Sequence, residues 1–111
     1  MAKFLFLMRG LSGQPNAGDE QTQAYNRKWG IYMGSLAQRG ALESGAPLEP
    51  VAKAVSSGSV SDAKLGTPDI YGYMAVNADS LDDAIAIARE APHIALGGTT
   101  IVRPCIEIPR S

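Results

Sequence analysis

Cysteine and histidine are almost missing from this chain of 111 residues, which carries one of each, Cys105 and His93. A lone thiol closes no internal disulfide, so a small disulfide-built secreted domain is excluded and a reducing cytoplasm is the expected compartment. No CxxC or HxxxH pair and no acidic cluster stands in the sequence, and no metal site is expected. The glycine-rich stretches lack the GxGxxG and P-loop spacings, so neither a nucleotide nor another cofactor is expected. The GxSxG turn of a serine hydrolase is absent as well. Charge of either sign is scarce: charged residues make up 19% of the chain and the net charge is −1. The longest basic block is the pair Arg27-Lys28, which argues against nucleic acid and against an anionic membrane as the main partner. The apolar run at residues 4–8 is too short for a signal-peptide core and far too short to span a bilayer. With 45% apolar residues, the composition is that of a globular protein, and residues 1–111 are expected to form a single domain.

The run Phe4-Leu5-Phe6-Leu7-Met8 is apolar on both alternating faces, which marks a central strand covered on both sides. Residues 10–19 have loop composition. A helix is predicted over residues 20–39, with Asp19 as N-cap and Gly40 as the left-handed stop. Its apolar stripe is Tyr25, Trp29, Tyr32 and Leu36. Gly30 and Gly34 interrupt it, either for close packing or as weak points. A short strand is predicted over 41–47, and an exposed hairpin turns at Ser56-Ser57-Gly58. Residues 70–76 form a strand, with Tyr71, Tyr73 and Ala75 on one face and Met74 and Val76 on the other. Ser80 and Asp83 have capping-box spacing, and the helix they open buries Leu81, Ala84, Ile85 and Ala88 before Pro92 ends it. The last strand is predicted over 99–108. Pro104 inside it points to an edge or a bulge.

The order is therefore β-α-β, a hairpin, then β-α-β. That is the split βαβ pattern of a ferredoxin-like α+β sheet with two helices on one face. The first strand is apolar on the other face too, and a second copy of the sheet would cover it by two-fold pairing. A homodimer is expected on that ground.

The segments RGALESGAPLEP and YGYMAVNADSLDDAIAIAREAPHIALGGTTIVRPCIEI resemble the YCII-related (DGPF) family. The matching pieces are Gly40 to Leu48, Gly72 to Asp79, Ala84 to Pro92 and Gly97 to Pro104, in the family's order and over nearly the whole chain. The resemblance implies a dimeric α+β barrel, sheets packed face to face, with a cleft at the subunit interface. Two departures stand out. The DGPF signature falls at VSDAKLGTPD, where only Asp62 matches. The His-Asp dyad of the enzyme-like branch falls near Trp29 and at Ala91, so neither dyad role carries over.

Four residues are candidates for chemistry. His93, at an ordinary pKa of about 6.5, has the chemistry of a general base and is the catalytic candidate. No carboxylate stands at motif spacing from it, which favours the plainer reading: a helix-end surface ring capping free carbonyls, worth about 1 kcal/mol or less. Arg9 and Arg103, on the first and last strands, are candidates to clamp a carboxylate or phosphate; the plainer reading is an ion pair with Glu43 or Glu107. Tyr73 is the fourth, as a pocket wall with a polar tip. The helix stripe Tyr25, Trp29 and Tyr32 reads as core and interface packing, and Cys105 as buried and inert. Two functions stay open. One is a homodimer binding a small organic molecule, anionic or not, in an inter-subunit cleft, with or without acid-base chemistry. The other is a non-catalytic structural or regulatory interaction module.

Overall fold

The structure, a computed structural model, describes residues 2–9, 20–49, 51–63 and 70–108. The expected Asp19 cap and the loop at 10–19 lie outside the described residues. The elements follow the expected order. Strand β1 is Ala2–Arg9, helix α1 Glu20–Gln38 and β2 Leu42–Pro47. The hairpin is β3 (Lys53–Ser56) and β4 (Ser59–Asp62). Then come β5 (Ile70–Ala78), α2 (Leu81–Arg89), a short 3-10 turn at Ile94–Leu96, and β6 (Thr99–Pro104). The main sheet is antiparallel in the order β2-β5-β1-β6, the arrangement of a ferredoxin-like split βαβ.

Strand β1 is central, as its two apolar faces imply. One face carries Phe4, Phe6 and Met8, all buried beneath the helices together with Met74, Val76, Tyr32, Leu36, Ala84 and Ala88. The register sets Phe6 between Met74 and Val102. Helix α1 contributes Tyr32 and Leu36, spaced by four and so on one face. Tyr32 also donates its hydroxyl to the Ile87 carbonyl of α2 at 2.8 Å, which ties the two helices together. Helix α2 begins as its sequence requires: Ser80 is extended and its Oγ accepts from the Asp83 amide at 3.1 Å. Its buried line is Ala84 and Ala88, continued by Ala91 past the helix, with Ile87 packed beside them. Leu81, expected in that line, is 46% exposed because it opens the first turn, ahead of the contact with the sheet.

The other face of the sheet shows Leu5, Leu7, Tyr73, Ala75 and Ile101, all half-buried. Leu7 pairs with both Tyr73 and Ile101, so these side chains form one apolar strip across three strands.

Of the two readings of Gly30 and Gly34, open space around both leaves the weak point rather than the close approach. Two expectations need correction. The last strand stops at Pro104 on the sheet edge, and residues 105–108 continue without regular structure. Cys105 is exposed rather than buried, because it lies just beyond that strand end.

Candidate functional site

The site begins with an irregularity in β5. Met8 pairs with Gly72 but Arg9 pairs with Ile70, so Tyr71 is an extra residue opposite β1. A bulge of this kind re-aims a side chain. Tyr71 leaves the face of Tyr73, where strict alternation would put it, and packs toward the helices, edge-on to His93 with ring centroids 6.3 Å apart.

His93 is fully buried. The surface-cap expectation therefore fails, and the reason lies in the two glycines that follow the short turn. Gly97 closes the turn with φ 91°. Gly98 leaves the space the ring occupies, since a Cβ there would stand 2.7 Å from His93 Cδ2. Trp29 stacks on the ring from the helix side, centroids 5.5 Å apart and planes 15° from parallel. His93 Nε2 lies 3.2 Å from the Thr99 carbonyl and 2.8 Å from Thr100 Oγ1. The carbonyl only accepts, so we assign the proton to Nε2. Nδ1 is then a buried acceptor without a partner. Burial holds the pKa of His93 below its ordinary value, against an opposing contribution from the Thr99 hydrogen bond.

A cavity of about 320 Å³ opens beside this aromatic cluster, between α1 and the β2–β5 end of the sheet. Helix α1 supplies Tyr25, Asn26, Trp29 and Met33; the sheet supplies Met8, Tyr71, Tyr73 and Met74, with backbone at Gly45–Pro47. Tyr25 and Trp29 meet edge to face at 6.3 Å. The Tyr71 hydroxyl is buried with no hydrogen bond of ordinary geometry. Burial first, and the neighbouring Tyr25 second, push its pKa up to about 12. It stays neutral at any physiological pH. Among the described residues no charged side chain lines the cavity. Burying an unpaired charge there would be costly, while a flat apolar molecule could stack on the indole and phenol faces.

The four sequence candidates do not converge. Tyr73 is among the residues lining the cavity, but its side chain stands on the open sheet face beside Leu7. His93 lies behind Trp29 and Tyr71 and is not among the lining residues. Arg9 and Arg103 are also outside the lining. They share the open sheet face, but Arg103 pairs with Leu5, four residues along β1 from Arg9. At strand rise that puts their backbones about 13 Å apart along the sheet. Glu43, a proposed partner, is paired instead with Lys3 at 3.0 Å. Tyr25 and Trp29, read from sequence as core, prove to be cavity wall. Their spacing of four residues placed them on the buried side, but periodicity does not separate a packed face from a hollow one. Among the described residues no group of three or more His, Cys, Asp or Glu side chains is placed to hold a metal ion. No described helix is long and apolar enough to cross a membrane.

No protein-family model and no curated protein matches this chain. Among solved structures it is similar to 5-chloro-2-hydroxyhydroquinone dehydrochlorinase from Burkholderia phenoliruptrix AC1100, in complex with 2,5-dihydroxybenzoquinone. Identity is 18%, the TM-score is 0.50, and the match covers 89% of this chain and 90% of the other. At that identity the likeness defines the fold alone. The class is an α+β protein with two helices on one face of an antiparallel sheet, with a structural neighbour of the dimeric α+β barrel type.

Proposed function

We propose that this protein binds a small, planar, uncharged organic molecule in the cavity beside α1. One observation carries the reading: about 320 Å³ of space walled by Tyr25, Trp29 and Tyr71, with no charged side chain in the lining among the described residues. That volume falls in the range of small-molecule sites and suits a one- or two-ring ligand. The expected anionic ligand does not suit it, because Arg9 and Arg103 are elsewhere. His93 takes a positioning role: its stacked ring sets Trp29, and its edge contact sets Tyr71. Binding needs no general base in the wall.

The protein works as a homodimer in this proposal, with the strip of Leu5, Leu7, Tyr73 and Ile101 packed on the same strip of a second copy. The cavity's helix-side wall keeps it within one subunit, in place of the inter-subunit cleft expected from sequence. The whole chain, residues 1–111, is read as a single YCII-related domain. A cytoplasmic location fits the exposed free thiol of Cys105.

Trp29 is the sole tryptophan, so its fluorescence reports on the cavity directly. Titration with coumarin, planar and neutral, should change that fluorescence saturably. Coumarin-3-carboxylate, the same scaffold with a charge, should do so at least tenfold more weakly. A purely linear response to coumarin would overturn the binding reading and leave the interaction-module alternative.

A further inference from the structure

Two apolar surfaces remain unexplained, and they lie at opposite ends of the main sheet. The first is the β3–β4 hairpin. Its register sets Val55 opposite Val60, 75% and 67% exposed, on the same face as the Lys53–Asp62 ion pair. Neither helix nor any strand of the main sheet packs appreciably against it. A two-stranded hairpin is at best marginally stable alone in water, so this one calls for a surface to lie on. It leaves the sheet where β2 ends at Pro47 and β5 begins at Ile70, the end at which β1 finishes with Arg9. The second surface is the stretch after β6. Cys105 still bonds its amide to the Lys3 carbonyl, and Ile106 and Ile108 beyond it are 89% and 81% exposed. This is the end at which β1 starts.

We propose that the hairpin of one copy lies on residues 105–108 of a second copy of this chain. The inference rests on the face-to-face pairing of sheets proposed above. When two such sheets pack with their strands running in opposite directions, the hairpin end of each stands over the tail end of the other. Two-fold symmetry makes that contact twice, valine to isoleucine each time. Area supports the same arrangement. Four strands at about 4.8 Å spacing and six residues long present a face of roughly 400 Å² in projection. A stable interface takes about 800 Å² from each partner. The sheet face alone falls short by about half, and the hairpin and tail supply contiguous apolar surface to extend it.

The single native cysteine makes the contact directly testable. In Val60→Cys, treated with a short bismaleimide reagent, Cys105 of one subunit and the new thiol of the other should couple, giving covalent dimers. Wild type, and Val60→Cys combined with Cys105→Ser, should give none, because like ends lie apart. Val55→Asp combined with Val60→Asp should raise the dimer dissociation constant at least tenfold in sedimentation equilibrium with an unchanged circular dichroism spectrum. Leu7→Asp tests the sheet face separately. A wild-type dimer that Leu7→Asp dissociates but that neither couples in Val60→Cys nor weakens with the aspartates would overturn the hairpin contact and leave the sheet pairing standing. Covalent dimers of wild type would place tail against tail and overturn it too. A monomeric wild type at micromolar concentration would overturn both.

Discussion

Replacing His93 by alanine should destabilise the protein by about 2–4 kcal/mol. The ring is fully buried between Trp29, Tyr71 and the gap left by Gly98. Truncation of a large buried ring costs about 3–5 kcal/mol, and imidazole is smaller than phenyl. The hydrogen bonding of Nε2 to Thr99 and Thr100 is lost as well, worth about 1 kcal/mol for each bond. Relief of the unpartnered Nδ1 returns about 1 kcal/mol or more. A pH signature distinguishes this burial from ordinary packing. The folded pKa is lowered, so between that value and about 6.5 the unfolded chain binds a proton that the native ring does not. Stability is therefore highest above about pH 6.5 and falls as the pH drops toward the folded pKa. Between pH 7.5 and 5.5 the largest possible loss from one such group is about 1.4 kcal/mol. Trp29, which covers the ring, is itself only half-buried, and solvent screening brings the expected loss to about 1 kcal/mol. Urea melts at the two pH values, read by Trp29 fluorescence and circular dichroism, measure both effects. A loss below 1 kcal/mol in His93→Ala, or a pH dependence unchanged by it, would refute the reasoning.

Gly98→Ala should cost about 2 kcal/mol by overpacking, since the new methyl would meet His93 Cδ2 at 2.7 Å and the His93 carbonyl oxygen at 2.9 Å; thermal melts should show a lowered midpoint. Gly34→Ala should have the opposite sign. It lies inside α1 with nothing within 4 Å of the added methyl, and a gain of about 1 kcal/mol is expected in the same melts.

Much of the fold was legible before any coordinates because its signals are local. A continuous apolar run located β1, turn chemistry the hairpin, and alternation β5. Ser80 ahead of Asp83 marked the start of α2, and Gly40 marked the end of α1, where it indeed adopts φ 73°. Pro104 signalled an edge or a bulge, and β6 is an edge strand. Each of these depends on what a few neighbouring residues permit their own backbone to do.

The site was not legible in the same way. Strict alternation puts Tyr71 beside Tyr73, and only the pairing of β5 against β1 shows the extra residue that turns it toward His93. Gly97-Gly98 reads as a turn; that the second glycine makes room for an imidazole follows from the return of β6 along β1. Arg9 and Arg103 share a face by phase, but their separation depends on strand register, which neither strand holds alone. Tyr25 and Trp29 stand on the buried side of α1 by period, and whether that side meets a neighbour or a hollow depends on where β2 lies. The sequence by itself determined the elements, the faces and the fold class, because backbone preference and hydrophobic period act over a few residues. Tertiary structure alone decided which side chains meet and where space remains, because those follow from register and packing between segments distant in the chain.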